Sequence, residues 1–157
     1  MPILQGFPDF ETVKFFTGKF FQKYNFTPVF YDIETTGLSR NSTYLYLIGA
    51  VGIEDETWYF YQWMAENASE EETILRIFSQ FLQQYNLMIS YNGERFDQPY
   101  LEARYEKYGI PSPFTGKQSL DLYLILKPLK SLLKLPAMKQ PLSLIHISEP
   151  TRPLYIS

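Results

Sequence analysis

Residues 30–38 read Phe-Tyr-Asp-Ile-Glu-Thr-Thr-Gly-Leu, and this stretch carries the most informative pattern of the chain. The β-rich run from Pro28 to Glu34 stops at Thr-Thr-Gly, which predicts a strand ended by a turn. Bulky residues occupy both faces of that strand, as is typical of a strand inside a sheet. Because successive side chains of a strand point to opposite faces, Asp32 and Glu34 share one face, about 7 Å apart.

Two carboxylates on one face of a buried strand are costly, because burial removes water from both and because like charges repel each other. Divalent cations are the usual compensation, so Asp32 and Glu34 are candidate metal ligands. The alternative is that both acids lie at an exposed strand end beside a turn. Their spacing alone favours this second interpretation, whereas the sequence around them favours the metal-ligand interpretation.

Two further β-rich runs follow the first, at residues 44–53 and 57–64. The three residues between these runs are short enough for a hairpin connection. A capping box formed by Ser69 and Glu72 then predicts a helix that continues to about Tyr85. We therefore expect three antiparallel strands in succession, followed by a helix.

The chain then returns to the sheet and leaves it again. Residues 87–91 form a predicted short buried strand, and Pro99 occupies the first turn of a second predicted helix, which ends at Gly109. The residues that this helix presents to the core are Leu101, Tyr105 and Tyr108.

Residues 119–127 carry Asp121 from the end of a short strand into a leucine-rich segment that Pro128 is expected to interrupt. The order of the elements predicts an α/β fold, in which helices pack on a mixed β-sheet. No cysteine is present, so a metal would be held by oxygen ligands, which favours Mg²⁺ or Mn²⁺.

A second block, residues 89–97, reads Ile-Ser-Tyr-Asn-Gly-Glu-Arg-Phe-Asp. Together with residues 30–38 it resembles the first two motifs of the DEDD superfamily of ribonuclease H-like 3′-to-5′ exonucleases. Within that superfamily, the stretch from about residue 25 to residue 140 most resembles the exonuclease domains of bacterial YprB-like proteins, in which Tyr-Asn-Gly-x-x-Phe-Asp-x-Pro recurs. The resemblance implies a ribonuclease H-like mixed sheet flanked by helices and incomplete at its C-terminus.

The same resemblance implies the roles of individual residues. It makes the protein a metal-dependent exonuclease acting on the 3′ end of single-stranded DNA or RNA, with two Mg²⁺ or Mn²⁺ ions. The implied catalytic metal ligands are Asp32, Glu34 and Asp97. The residues implied to border the substrate are Thr35, Leu38 and Asn92. The alternative function is a non-catalytic nucleic-acid-binding module with this fold.

Other acidic and basic residues keep two interpretations each. Asp97 alone would be read as the N-cap of the second helix, and it can hold both roles. Asp121 follows Asp97 too closely to suit the last motif of the superfamily, so we interpret it as a supporting or structural residue. Arg95 and Arg104 are candidates for phosphate contacts, but solvated positions on a helix face are more typical of arginine.

The net charge of −3 argues against a protein that grips duplex DNA over a long basic face. An enzyme that handles one strand end needs fewer basic contacts. No apolar run approaches the roughly 18 to 20 residues needed to cross a bilayer, and no secretory signal is present. We therefore expect a cytoplasmic protein that does not bind membranes.

The end of the chain does not fit the rest. Residues 142–152 resemble the translation of a transposase sequencing adapter, so we expect a non-native tail at 141–157. The rest of the chain is expected to divide into an N-terminal extension at 1–27 and the domain at 28–140. The superfamily's last motif joins a general base to a fourth Asp, but no Asp follows Asp121. The sole histidine, His146, lies in the tail and is not expected to be catalytic. The chain as written is therefore expected to be inactive or nearly so.

Overall fold

A computed structural model describes residues 19–54 and 57–132 of the chain. The chain divides into two compact units, one that ends at Leu124 and one that begins at Ile125. Residues 125–132 are the described part of the second unit. The predicted tail at 141–157, with His146, lies outside the described residues.

The elements follow the predicted order, and a fifth strand is well formed. Their bounds are β1 (Pro28–Thr35), β2 (Leu45–Glu54), β3 (Thr57–Met64), α1 (Glu71–Phe81), β4 (Leu87–Ser90), α2 (Asp97–Lys107), β5 (Gln118–Asp121) and α3 (Leu122–Leu132). Short 3₁₀ turns at Ala68–Glu70 and Leu82–Gln84 flank α1, so helical structure extends almost to Tyr85 as predicted.

The five strands form one mixed sheet in the order β3-β2-β1-β4-β5. β1 is antiparallel to β2, and β2 is antiparallel to β3, which confirms the predicted run of three antiparallel strands. β4 is parallel to both β1 and β5. The first strand of the chain is therefore the central strand of the sheet, with neighbours on both sides.

Helices α1 and α2 pack against one face of the sheet, and the core lies between them and β1. Apolar residues at helical spacing supply the helix side of this core, because residues three and four apart lie on one helix face. Buried members of this core from β1 and the two helices include Val29, Tyr31, Phe78, Tyr100, Leu101 and Tyr105. Leu101 and Tyr105 are fully buried as predicted, and Tyr108 packs against the core while partly exposed.

The opposite face of the sheet carries a smaller apolar cluster centred on Phe21, Leu87 and Ile89. The alternation along β1 places Tyr31 and Ile33 in the main core. Asp32 and Glu34 consequently point to this second, more open face.

Two local predictions need correction. Asn67, and not Ser69, caps the helical segment before α1, because the Asn67 side chain accepts a hydrogen bond from the Ser69 N–H while Glu72 pairs with Arg76. Helix α2 begins at Asp97, so Pro99 lies in its first turn as predicted.

Pro128 does not interrupt its segment, since it lies inside α3. A proline removes one backbone donor from a helix, but the helical residues are described as far as Leu132, four positions beyond Pro128. The predicted stop at Gly109 is confirmed. Gly109 adopts φ +62, and the Ile110 N–H reaches back to the Tyr105 carbonyl, as in a Schellman motif. Among the described helices, none is long and apolar enough to cross a membrane.

Candidate active site

Asp32 and Glu34 project from the central strand onto the open face of the sheet. Asp32 is accessible to solvent and Glu34 is half-buried. The regular pairing of β1 with β2 shifts immediately after Glu34, where a β-bulge separates it from Thr35. Bulges often occur beside functional sites, because they end the ladder and redirect the chain.

Asp97 approaches this pair from the first residue of α2, and it is buried. Burial, followed by the nearby charges of Asp32, Asp121 and Glu34, raises the pKa of Asp97 to about 7. The pKa of Asp32 is also raised, first by desolvation within the surrounding protein and then by the charge of Glu34. The structure therefore brings the three predicted acids into one electrostatically coupled cluster.

Asp97 is not the N-cap of α2, contrary to the alternative interpretation of its role. Phe96 occupies that position, and no side chain caps the helix there. Since Asp97 stands one residue further along, its side chain is not engaged in capping. Its negative charge at the helix start is still favoured by the helix dipole.

The chemistry of the acid cluster suits a divalent cation. Its donors are carboxylate oxygens, which are the ligands that Mg²⁺ and Mn²⁺ prefer. Within the described ranges, no Lys or Arg forms an ion pair with Asp32, Glu34 or Asp97, so their mutual repulsion is of the kind that a cation relieves. In the same ranges, no three acids or histidines converge tightly enough to form a ready metal site. The cluster fits a cation in charge and chemistry.

Asp121 lies near the cluster but uses its carboxylate for another purpose. Its Oδ1 accepts hydrogen bonds from the backbone N–H groups of Asn92 (2.7 Å) and Tyr123 (2.9 Å), and its Oδ2 accepts one from Glu94 (3.1 Å). Asp121 thereby fastens the turn after β4 to the start of α3. These bonds support its interpretation as a structural residue.

Gly93 sits at the tightest point of this turn, which we call the 91–94 turn. A Cβ atom at Gly93 would lie 2.6 Å from Ser90 Cβ and 3.0 Å from Asp97 Oδ2. Contacts under 3.0 Å require the surrounding atoms to move. The absence of a side chain at Gly93 is therefore what allows Asp97 to take its position.

The three predicted substrate-bordering residues lie on two loops. Leu38 is 82% exposed on the loop of residues 36–44 that follows β1. Thr35, at the end of β1, donates a hydrogen bond from Oγ1 to the Gly37 carbonyl (2.8 Å). Asn92 adopts φ +63 in the 91–94 turn, and its buried Oδ1 has no hydrogen-bond partner within the described ranges.

We expected Arg104 to be a solvated charge on a helix face, but it is buried. It is 1% exposed and forms a bidentate ion pair with the buried carboxylate of Glu71, with Nε to Oε1 at 2.7 Å. Its Nη1 donates to the Arg40 carbonyl (2.9 Å), and Glu71 also accepts the Leu45 N–H (2.7 Å). Arg104 therefore fastens the loop of residues 36–44, and its guanidinium is not available to phosphate.

Arg95 remains at the surface, where its guanidinium carbon lies 5.9 Å from the centre of the Tyr123 ring. It belongs to the same turn region as Asp97. Of the two arginines considered, only Arg95 is placed where a phosphate can reach it.

The sequence matches the RNase H superfamily over residues 29–144. The chain belongs to the RNase H superfamily. Its mixed five-stranded sheet with flanking helices is accordingly an RNase H-like α/β fold. No curated protein sequence matches the chain.

Several solved structures share this RNase H-like fold at low sequence identity. The family B DNA polymerase of the hyperthermophilic archaeon Pyrobaculum calidifontis aligns with 65% of the chain at 19% identity and a TM-score of 0.55. Exonuclease I of E. coli in complex with single-stranded DNA aligns with 68% of the chain at 13% identity and a TM-score of 0.57. The same enzyme in complex with a dT13 oligonucleotide aligns with 72% at 12% identity and a TM-score of 0.54. The chain spans 16% of the polymerase and about 30% of exonuclease I.

Sequence reasoning missed the residues that hold the RNase H-like site in place. Arg104 lies three and four residues after Leu101 and Tyr100, so it falls on the apolar stripe of α2. Glu71 lies three and four residues before Ile74 and Leu75, so it falls on the apolar stripe of α1. A charge on an apolar helix stripe indicates burial and hence a partner, and this signal would have found the pair.

Proposed function

We propose that the protein is a metal-dependent 3′-to-5′ exonuclease of the DEDD type, related to the YprB-like exonucleases, that acts on single-stranded DNA or RNA. The observation that supports this most is the electrostatic coupling of Asp97 to Asp32 and Glu34. These residues come from two elements that are more than sixty positions apart, the charges of Asp32 and Glu34 contribute to the raised pKa of Asp97, and no Lys or Arg of the described ranges forms an ion pair with the three. The complexes of exonuclease I with single-stranded DNA lend support through the shared fold.

Asp32, Glu34 and Asp97 would hold the Mg²⁺ or Mn²⁺ ions. When bound, a pair of such ions activates a water molecule and stabilises the leaving oxygen of a phosphodiester. The chain's own part is to present, on the central strand and at a helix start, carboxylates that form no ion pair with a described Lys or Arg. Because a metal ligand must be deprotonated, Asp97 has to lose its proton before it can bind an ion.

The remaining residues would orient the substrate. Leu38 presents an exposed apolar side chain on the loop after β1, suited to the terminal base, and Thr35 shapes the chain between Leu38 and the strand. Asn92 has a buried acceptor without a hydrogen-bond partner in the described ranges, in the turn that leads to Asp97. Asp121 holds the 91–94 turn in place and is not itself a ligand.

The direct test is removal of nucleotides from a 5′-labelled single-stranded oligonucleotide in the presence of Mn²⁺. The assay uses the 157-residue chain and a version that continues the natural reading frame past Gln140, because no Asp follows Asp121 in the chain as written. We expect the 157-residue chain to be nearly inactive, the continued version to shorten the oligonucleotide from its 3′ end, and Asp32→Asn in that version to lose this activity by orders of magnitude.

The matched control is Glu106→Gln, which changes an exposed carboxylate on α2. This variant should keep full activity. Equal loss in both variants, or full activity of Asp32→Asn, contradicts the proposal.

A non-catalytic nucleic-acid-binding module is the second candidate. One observation favours it: Asp121, the remaining acid near the cluster, is fully engaged by backbone N–H groups and is not available to complete a metal site. Such a module would bind the oligonucleotide with the same affinity in the wild type and in Asp32→Asn, and would not shorten it.

A further inference from the structure

Two tyrosines and an arginine meet at the surface where β4 and β5 end. The rings of Tyr91 and Tyr123 lie 5.7 Å apart at an interplanar angle of 72°, in an edge-to-face arrangement. The Arg95 guanidinium lies 5.9 Å from the centre of the Tyr123 ring. Tyr91 and Arg95 are exposed, and Tyr123 is half-buried. We call these three residues the tyrosine platform.

The Asp121 carboxylate holds the backbone of the platform in place. This single carboxylate binds the N–H groups of Asn92 and Glu94, which follow Tyr91, and also the N–H of Tyr123 itself. The backbone on both sides of the ring pair is therefore tied to one buried group. A surface pair of aromatic rings held in this way loses little entropy when a ligand binds to it.

The platform also lies beside the acid cluster. In the parallel pairing of β1 with β4, Phe30 is opposite Ile89. Continuing this register past Ser90, the last residue of β4, brings Asp32 to the level of Tyr91. Tyr91 is thus the residue of the platform that lies closest in register to Asp32.

We propose that the tyrosine platform is a stacking site for a nucleobase of single-stranded nucleic acid. Exposed aromatic rings next to an arginine provide a π surface for a base and a positive charge for the adjoining phosphate. The location of this base relative to the 3′ end rests on the proposed function, because that function places the terminal phosphodiester at Asp32. The stacking itself does not depend on cleavage.

The first experiment measures the affinity of the full chain for a fluorescent oligothymidine in the presence of Ca²⁺, and the Asp32→Asn background removes any remaining turnover. Tyr91→Leu is expected to weaken binding about tenfold, the usual effect of losing one base–aromatic stack. Tyr91→Phe keeps the ring and should bind as the wild type does. The matched control is Tyr59→Leu, an exposed tyrosine on β3 at the opposite edge of the sheet, which should have no effect.

The second experiment replaces single nucleotides of the oligothymidine with abasic sites, moving inward from the 3′ end. At one position the abasic site should weaken binding to the wild type and have no further effect on Tyr91→Leu. Equal losses for the two proteins at every position would overturn the stacking site. So would unchanged affinity of Tyr91→Leu, provided that circular dichroism shows a folded protein.

Arg95 gives an independent measurement. Loss of one phosphate contact reduces the slope of log affinity against log salt by about one. We expect this change for Arg95→Ala and not for Arg76→Ala, an exposed arginine on α1. An identical slope for Arg95→Ala and the wild type would remove Arg95 from the site.

The outcomes separate the two proposals. If Tyr91→Leu weakens binding but no variant of the chain cleaves, the stacking site stands and the exonuclease proposal fails. If cleavage is present and Tyr91→Leu changes neither affinity nor the abasic profile, the stacking site fails alone. Absence of any oligonucleotide binding by the unmodified chain would overturn the stacking site.

Discussion

The guanidinium of Arg104 and the carboxylate of Glu71 form a fully buried ion pair that joins α2 to α1. The pair has further partners, since Tyr108 donates its hydroxyl to Glu71 (2.8 Å) and Arg104 donates to the Arg40 carbonyl. A buried charge that loses its partner keeps the full cost of its desolvation. The stability of the helix layer and the position of the loop of residues 36–44 therefore depend on the same two side chains.

Arg104→Ala is expected to lower the free energy of unfolding by about 3–5 kcal/mol, because it leaves the Glu71 carboxylate buried and unpaired. The matched control is Arg76→Ala, which breaks the exposed Arg76–Glu72 pair and should cost at most about 1 kcal/mol. Urea unfolding measures both values. Similar losses in the two variants would contradict the buried role of Arg104.

The stability of the metal-free protein is expected to fall as pH rises from about 4 to about 7. The pKa of Asp97 is raised to about 7 in the folded state, so the folded state keeps a proton that the unfolded chain releases near its ordinary pKa. Folding stability decreases wherever the folded state binds more protons than the unfolded state.

Asp97→Asn should remove most of this slope and stabilise the metal-free protein at pH 8, by an amount on the order of 3 kcal/mol. Urea titrations at several pH values measure the effect. A slope that is unchanged in Asp97→Asn would show that another group is responsible.

Addition of Mn²⁺ at pH 8 is expected to raise the melting temperature, because a ligand that binds only the folded state stabilises that state. The free energy of unfolding rises by about 2.7 kcal/mol when the ligand concentration is a hundred times the dissociation constant. The effect should become smaller below pH 7, where Asp97 retains its proton. Asp32→Asn should abolish the shift, and Glu106→Gln should retain it. An equal shift in both variants would locate the ion elsewhere.

Gly93→Ala is expected to weaken Mn²⁺ binding and to destabilise the fold, because the new methyl group overlaps Ser90 and presses on the Asp97 carboxylate. Gly49→Ala, on β2, is the control, since a Cβ there meets nothing within 4 Å. Calorimetric titration with Mn²⁺ and thermal unfolding measure the two effects. Equal behaviour of the two alanine variants would contradict the tight packing at Gly93.

Local patterns in the sequence predicted the sheet and the positions of Asp32 and Glu34. The alternation along β1 and the turn after it depend only on neighbouring residues, so the strand and its acidic face could be read directly. The stop at Gly109 was also local, since a glycine with positive φ commonly ends a helix.

The partners of distant residues could not be predicted in the same way. Glu71 and Arg104 are separated by 33 positions, and Asp121 bonds to N–H groups 27 and 29 positions away. Backbone donors carry no signature in the sequence, because every residue except proline has one. The role of Asp121 as a hydrogen-bond acceptor for these N–H groups is therefore visible only in the folded structure.

Asp121 has an evolutionary consequence. A copy of this gene released from selection for catalysis would be free to exchange Asp32, Glu34 and Asp97, whose charges repel one another. It would remain under pressure to keep Asp121, which satisfies three backbone donors. Degenerate homologues are therefore expected to retain position 121 longest, so that an aspartate there marks ancestry and not activity.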